Sequence, residues 1–344
     1  MKILMLTGYF WPRIGGVEKH VLRVSEELVE LGHEVTVLTR RWDPGWPEQQ
    51  DRRGVRVRRA DGGISKAPRD PHLRLLGEAD VIHCHDAYPY LRFYLPARFA
   101  RKTAPFVTFH GYEGYPIPRT ARWLRRRLAK RAAGTICMGE FIRHWYGHEC
   151  DVVSYGGVDA PQGRVPDADP AAPALYVGRL APDTTIMGYL EALRLLRQRG
   201  RDVRFVVCGE GPLSDKVVAV ARAADVDVVM RGWITDVAPE LDQCRFAFVS
   251  GYLSILEAMA QRRLACSLYD NPLKRDYLEL FPAAQHMVIA DGPDRLASAI
   301  EEQIENPSAA TATIDAAEAY AREQTWRKVA ELYLDLYRQR GVTR

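Results

Sequence analysis

The chain has 344 residues, 47% of them hydrophobic and 27% charged, with a formal net charge of +4. That length is too great for one ordinary core and suits two domains of about 150 residues each, and the composition is that of an ordinary globular protein. The small positive excess gives no argument for nucleic acid, and no stretch reaches the roughly 18 apolar residues of a spanning helix.

The start, Met1-Lys2-Ile3-Leu4-Met5-Leu6, lacks the length and cleavage site of a secretory signal, so a cytoplasmic protein is expected. Residues 2–7 read as a short apolar strand, followed by a glycine- and proline-punctuated loop from Gly8 to Gly16. Val17, Val21, Val24, Leu28 and Leu31 then recur at helical spacing until Gly32, and residues 34–39 read as the next strand. This strand–loop–helix–strand unit builds doubly wound sheets. The loop is not G-x-G-x-x-G, which argues against an NAD-dependent enzyme on a similar sheet.

Further strands are expected at 55–58, 79–83, 105–109, 134–138 and 152–154, with helices at 90–101 and 119–133. Proline and alanine crowd residues 160–173, which read as an interdomain linker. The pattern then restarts. Strands are expected at 174–177, 204–208, 226–231, 246–249, 264–268 and 286–289, with helices at 186–198, from 213 to about 224, and at 294–305. A last helix, 316–340, carries Trp326, Val329, Leu332, Leu336 and Tyr337 as an apolar stripe. The fold expected is α/β: two Rossmann-like parallel-sheet domains facing a cleft, at residues 1–165 and 166–320, with 321–344 a C-terminal helix returning to the first domain. Cys84, Cys137, Cys150, Cys208, Cys244 and Cys266 are scattered without metal-site spacing, mostly within apolar runs, and read as reduced core residues.

The stretch from Ser250 to Ala260 follows the 246–249 strand and opens a helix. Ser254 reads as its N-cap, with Glu257 at capping-box spacing. A helix start directly after a strand presents free N–H groups and the positive end of a dipole, a ready anion site. Arg179, the Gly209-Glu210-Gly211-Pro212 turn, Ser254, Glu257 and Lys274 all lie at or just after carboxyl ends of expected strands, so the fold would gather them on one rim. A cation, a helix start and a carboxylate suit a nucleoside diphosphate: cation and amides hold phosphate oxygens, and the carboxylate accepts from ribose hydroxyls.

His83, His85 and Asp86 at one strand end read as cleft lining rather than metal ligands. The pairs Asp167/Asp169 and Asp225/Asp227 have the D-x-D spacing of a metal motif, but one lies in the linker and the other precedes a strand. The basic run Arg119–Arg131, with Trp123, Leu124 and Leu128, reads either as a solvated helix face or as a surface for an anionic membrane. It carries no nucleic-acid motif.

Seven further stretches stand in a telling order: Gly15-Gly16 before a helix ending Leu31-Gly32-His33-Glu34-Val35; Ala79-Asp80-Val81-Ile82-His83-Cys84-His85; Phe109-His110-Gly111; Gly156-Gly157-Val158-Asp159; Val177-Gly178-Arg179-Leu180; Cys208-Gly209-Glu210-Gly211-Pro212-Leu213; and Ile255-Leu256-Glu257-Ala258-Met259-Ala260, with Trp326 near the end. In this order and spacing the chain resembles glycosyltransferase family 4, of GT-B architecture, over nearly its whole length.

The resemblance implies a hexosyltransferase that moves a sugar from a nucleotide donor to an acceptor hydroxyl with retention and without a required metal or cofactor. Its setting would be glycolipid or cell-surface polysaccharide synthesis, and its acceptor a small molecule, a lipid-linked molecule or a glycan. Arg179 would neutralise the departing diphosphate and Glu257 would hold the ribose. Backbone near Gly209, Gly211 and Pro212, and at Trp233-Ile234, would bracket the base. Gly251, Tyr252, Leu253 and Ser254 would line the donor, Gly15 and Gly16 would border diphosphate and acceptor, and His110 would sit near the reacting sugar. Two positions depart from the family. Thr184 stands where a second phosphate-binding lysine is usual, and Val249 where a glutamate usually contacts the donor sugar. Lys274, at the end of the next strand, is the expected replacement cation; its alternative is an exposed loop lysine. The other reading of the two departures is a nucleotide-sugar-binding protein with lost or weak catalysis.

Overall fold

A computed structural model describes residues 1–13, 15–61, 71–100, 103–163 and 165–342. The chain divides into two compact units, one formed by Met1–Gly157 together with Trp326–Arg344, the other by Val158–Thr325. Residues 158–165, expected in the first domain, therefore belong to the second.

The first unit is built on an eight-stranded sheet: β1 (Lys2–Leu6), β2 (Glu34–Arg40), β3 (Gln49–Arg52), β4 (Val55–Ala60), β5 (Val81–His85), β6 (Phe106–Phe109), β7 (Thr135–Met138) and β8 (Val152–Ser154), in the order β3-β4-β2-β1-β5-β6-β7-β8. Every pairing is parallel except the β3–β4 hairpin. Ile3 to Leu6, Val81 to His85 and Phe106 to Phe109 are buried because helices cover both faces of a parallel sheet. β3 was invisible in the sequence: Gln49-Gln50-Asp51-Arg52 is wholly polar, and only its edge pairing with β4 makes it a strand.

The second unit carries six parallel strands, β9 (Ala174–Val177), β10 (Phe205–Cys208), β11 (Val228–Gly232), β12 (Phe246–Phe248), β13 (Leu264–Leu268) and β14 (Val288–Ala290), ordered β11-β10-β9-β12-β13-β14. Its core is the inward face of these strands packed on Tyr189, Leu190, Leu193 and Leu196 of the Ile186–Gln198 helix and on Leu296 and Ile300 of the Pro293–Glu305 helix. The proline-rich stretch after residue 160 is held within this unit. Arginines clasp its carbonyls: Arg322 those of Pro161 and Gly163, Arg263 that of Pro166, and Arg245 that of Pro170.

The expected single last helix is two. Pro307–Glu323 belongs to the second unit and Trp326–Gln339 to the first, the chain breaking at Gln324-Thr325, where Val158 N–H donates to the Gln324 carbonyl at 2.8 Å and Val158 bridges to Thr325. Trp326, Tyr333, Leu334 and Tyr337 of the final helix are buried against the first unit. The reading of all six cysteines as reduced is also corrected. Cys137 on β7 and Cys150, just before β8, form a disulfide, because the neighbouring parallel strands bring together residues that a 13-residue separation hides. Cys84, Cys208, Cys244 and Cys266 are free and buried.

The final helix is tied in by polar bonds inside the core. Tyr337 hydroxyl meets His83 Nδ1 at 2.7 Å, His83 Nε2 meets Thr108 Oγ1 at 2.7 Å, Thr108 meets the Tyr333 hydroxyl at 2.8 Å, and Tyr333 meets His20 Nε2 at 2.9 Å. Removing one hydroxyl leaves a buried ring nitrogen without its partner, a loss of about 1–3 kcal/mol. Tyr337→Phe is therefore expected to lower the unfolding free energy of the first unit by that amount, read as a lower urea midpoint with its slope unchanged; an unaltered midpoint would show that the bond contributes nothing.

Candidate functional site

In the second unit β9 lies between β10 and β12, so the winding of the chain reverses at its carboxyl end, where open α/β sheets bind ligands. The donor-side loops singled out in the second half of the sequence emerge on this rim, while Gly15 and Gly16 lie in the first unit. Gly178-Arg179 follows β9, Gly209 to Pro212 follows β10, Trp233-Ile234 follows β11, Val249-Ser250-Gly251 follows β12, and Asn271 to Lys274 lies beyond β13.

The first three loops are laced by backbone: Gly178 N–H to Cys208 carbonyl at 3.1 Å, Leu180 N–H to Glu210 carbonyl at 2.9 Å, Leu213 N–H to Leu180 carbonyl at 3.0 Å, and Gly209 N–H to Gly232 carbonyl at 2.8 Å. The approach is so close that a Cβ on Gly209 would stand 1.8 Å from the Gly178 carbonyl oxygen, and one on Gly211 2.3 Å from that of Leu180. Glu210 Oε1 accepts from the Trp233 N–H at 3.2 Å, joining the β10 and β11 turns. Trp233 and Pro212 are exposed and Ile234 half-buried.

The Tyr252–Ala260 helix starts one turn earlier than the capping pattern indicated. Its N-cap is Gly251, and Ser254 lies inside the first turn, donating its hydroxyl to the Gly251 carbonyl at 2.9 Å. Ser254 is thus not the cap; it shares the half-buried face with Leu253 and Glu257, while Tyr252, Ile255, Leu256 and Met259 face the core. Tyr252 N–H donates to the Tyr277 hydroxyl at 3.0 Å, and the two rings stack 4.1 Å apart. Tyr277 was not foreseen; its spacing from Lys274 along a helix was the one trace of it. Val249, at the position of the missing glutamate, is 1% exposed and continues β12 into the core, with its carbonyl accepting from Ser267 Oγ.

Arg179 is largely exposed and pairs with Asp183 at 2.7 Å, while Thr184 turns its hydroxyl to the Ala181 carbonyl at 2.7 Å. Lys274 is no exposed loop lysine. It is buried on the Pro272–Glu279 helix, its Nζ donates to the Ser250 carbonyl beside Gly251, and it lies 4.0 Å from the centre of the Tyr277 ring. Burial draws its ammonium down to about 7, with Asp270 and Asp183 pulling the other way. Asp183 thus pairs directly with Arg179, and its charge also acts on Lys274.

In the first unit Gly15 is the N-cap of the Gly16–Glu30 helix and Gly16 is open, with nothing within 4 Å of a Cβ built there. His110, just beyond β6, is 8% exposed. Its Nε2 meets His85 Nδ1 at 3.0 Å, its ring stands 5.0 Å from that of His20, and its N–H donates to Asp86 Oδ1 at 2.7 Å. Burial, and then the charges of His20, His83 and Arg125, hold the imidazole well below its ordinary range, so it is neutral at physiological pH. His83 and His85, read as cleft lining, are instead buried in the hydrogen-bonded core. Arg125, read as part of a basic run, is turned inward: its guanidinium donates to the Gly111 and His110 carbonyls at 3.0 and 3.1 Å and to Glu113 at 2.9 Å. Arg119, Trp123, Arg126, Arg127 and Lys130 form the exposed face of the same Arg119–Ala129 helix and its cap.

Neither D-x-D pair is arranged for a metal. Asp167 binds Arg262 at 2.6 Å, Asp169 caps Ala171 N–H at 2.8 Å, and Asp225 binds Arg197 at 2.5 Å. Among the described residues one cluster gathers three groups of metal-ligating type, Cys137, His148 and Cys150, and as a disulfide its sulfurs offer no thiolate.

Residues 14–160 match the family model described as Glycosyltransferase Family 4, and residues 172–306 that described as Glycosyl transferases group 1. A GDP-mannose-dependent alpha-mannosyltransferase of Mycolicibacterium smegmatis is 28% identical over 274 residues, 67% of this chain and 69% of that one. A glycogen synthase of Mycobacterium tuberculosis is 27% identical over 278 residues, and the match spans 64% of each chain, under two thirds of that relative's length. Among solved structures, Anabaena HepE in complex with UDP superposes with a TM-score of 0.76 at 15% identity, covering 98% of this chain and 100% of that one. With two Rossmann-like α/β units of GT-B type and both halves matched in order, the chain belongs to glycosyltransferase family 4.

Proposed function

We propose that this protein transfers a hexose from a nucleoside-diphosphate sugar to an acceptor hydroxyl, with retention and without a required metal. The observation that supports this best is the rim of the second sheet, where Arg179, Lys274 and the helix start at Gly251, with Glu257 in its second turn, all follow the ends of parallel strands. Phosphate chemistry is served there without acid–base residues. As the glycosidic bond breaks, negative charge builds on the diphosphate, and preorganised cations and amides stabilise it. Arg179 gives up Asp183 for a phosphate oxygen. Lys274 supplies the second cation that Thr184 lacks, reaching the same place from the next strand. The first-turn amides of Leu253 and Ser254 face the diphosphate, Glu257 accepts from the ribose, and the backbone of Gly209 to Pro212 and of Trp233-Ile234 brackets the base. His110, neutral and held by His85, offers a hydrogen bond to the sugar rather than a charge. That HepE was crystallised with UDP supports a diphosphate of this kind.

The exposed face of the Arg119–Ala129 helix supports a lipid-borne acceptor. Arg119, Arg126, Arg127 and Lys130 surround Trp123, which is 59% exposed, and the Arg127 guanidinium lies 5.0 Å from the Trp123 ring centre. No helix among the described residues is long and apolar enough to cross a membrane. Docking on an anionic cytoplasmic surface brings the protein to such an acceptor.

Calorimetric titration with UDP, GDP and ADP tests the donor site. One diphosphate is expected to bind without magnesium, and Arg179→Ala or Glu257→Ala to weaken it at least tenfold, by about 1.4 kcal/mol or more. Binding of none, or binding untouched by either variant, rejects the assignment, and tight binding with neither transfer nor donor hydrolysis makes the protein a binding module. NMR of the first product formed gives the anomeric outcome. The Lys274 role carries a pH signature. Above pH 7 the free ammonium is largely unprotonated, so phosphate binding must draw a proton from solution. Uptake approaching one proton per diphosphate at pH 8 is expected, with affinity falling up to about tenfold per pH unit above 7. Lys274→Met should abolish both, and identical proton uptake in that variant would remove Lys274 from the site. For the membrane face, sedimentation with phosphatidylglycerol but not phosphatidylcholine vesicles is expected, lost when Trp123→Ser, Arg127→Glu and Lys130→Glu are combined, since each charge contributes about 1 kcal/mol near the surface.

A further inference from the structure

Cys137 and Cys150 differ from the other thiols of the chain. Cys84, Cys208, Cys244 and Cys266 are buried, and burial pushes each thiol up, Cys208 and Cys244 to about 12, so none offers thiolate at neutral pH. Cys137 is fully buried on β7, whereas Cys150 is half-buried in the turn that enters β8. His148 Nδ1 stands 3.7 Å from the Cys150 sulfur and 3.4 Å from the Glu149 carbonyl, and its Nε2 is buried with no hydrogen-bond partner among the described residues. Burial and the charges of Arg125 and Arg126 hold this imidazole below its ordinary range, so it is neutral and can take a proton. The same two guanidiniums favour a thiolate nearby.

We propose that Cys150 and Cys137 form a reversible thiol-oxidation site. Cys150 is the sulfur that meets a hydroperoxide, His148 the base that takes its proton, and Cys137 the buried thiol that closes the disulfide. The Cys150 proton passes to His148 Nδ1, which then shares it with the Glu149 carbonyl. The thiolate attacks the peroxide oxygen: an S–O bond forms, the O–O bond breaks, and the departing oxygen leaves as an alcohol, or as water from hydrogen peroxide, with the proton from His148. Cys137 sulfur then attacks Cys150 sulfur, the S–O bond breaks, and hydroxide leaves with the Cys137 proton as water. Two thiols lose two electrons in all and one peroxide gains them. A small dithiol reductant reverses the reaction.

The site lies beside the loop after β6 that carries His110. The His148 ring is 5.0 Å from that of Phe109, the residue before His110. Tyr146 donates its hydroxyl to Glu113, which binds Arg125, which in turn grips the His110 carbonyl. Closing the disulfide adds a covalent tie to β7 across this set, in a segment that is otherwise held by Asp151 on Thr135, Glu149 on Arg143 and the His148 ring on Phe109.

The full chain, reduced with dithiothreitol and then treated with a stoichiometric amount of hydrogen peroxide, gives the test. The reactive thiols counted in denaturant should fall by two, the intact mass should fall by two hydrogens, and a cross-linked peptide pair containing Cys137 and Cys150 should appear. Dithiothreitol should restore all three. Oxidation should raise the melting temperature of the first unit by roughly 5–10 °C, the effect of a short cross-linked loop. Cys150→Ser should prevent the loss of thiols, Cys137→Ser should stop the reaction at a Cys150 sulfenic acid, with one thiol lost, one oxygen gained and no cross-link, and His148→Ala should slow closure by roughly tenfold while leaving the final disulfide intact. Six thiols persisting after peroxide, a gain of oxygen atoms without cross-linking, or closure as fast in His148→Ala as in the parent would each overturn the proposal. So would stoichiometric zinc held by the reduced chain and lost in Cys150→Ser, since that describes a metal site.

Discussion

The second unit depends on a contact that admits no side chain. Gly209 and Gly211 lie against the carbonyls of Gly178 and Leu180 so closely that the turns after β9 and β10 share hydrogen bonds as if they were one element. That contact fixes where Arg179 begins and where the Glu210 carboxylate can reach the Trp233 amide. Neighbouring parallel strands all end on one rim, but their loops could splay. Backbone lacing is what turns a shared edge into a rigid surface, and rigid surroundings are what electrostatic stabilisation of a leaving group requires.

The charges on that rim come from other elements than the ones the family resemblance implies. A lysine five residues after Arg179 would reach a phosphate from the same loop. Thr184 instead closes that loop on the Ala181 carbonyl, and the nearby buried lysine, Lys274, stands on the Pro272–Glu279 helix. The helix is capped by Asn271, whose side chain accepts from Lys274 N–H at 2.9 Å, so the cap sets the base of the lysine while the Ser250 carbonyl and the Tyr277 ring set its tip. A lysine so surrounded is held in one place at some cost in protonation.

The legible parts of the fold were those written in local periodicity. The apolar runs of β1, β5, β10, β12 and β13 gave strands within two residues of their observed ends, and the glycine turns after them placed the rim. β3 was hidden because its stability comes from β4 rather than from its own residues. The break at Gln324-Thr325 was hidden because the helical pattern on either side continues through it, and the boundary is set by a pairing with Val158 far away in sequence. His83, His85 and Arg125 were misplaced for one reason: polar residues are assigned to surfaces by default, and their burial depends on partners, Tyr337, His110 and the Gly111 carbonyl, that only the fold supplies. Tyr277 and the Cys137–Cys150 pair likewise exist only as contacts.

The pairing of Val158 with Thr325 has a temporal side. It makes the whole of the second unit an insertion whose two ends lie side by side, while the first unit is split around it. During synthesis the first 157 residues emerge with the surface for Trp326 and Tyr337 still uncovered and with His83 still lacking its hydroxyl partner. At the pace of a ribosome roughly 10–30 s pass before residue 337 follows. The second unit is contiguous and can reach its native state as it emerges; the first must wait until the Trp326–Gln339 helix has been made. Its exposed apolar seam in that interval is the stage at which this chain most needs protection from aggregation, and the final helix is the latch that ends it.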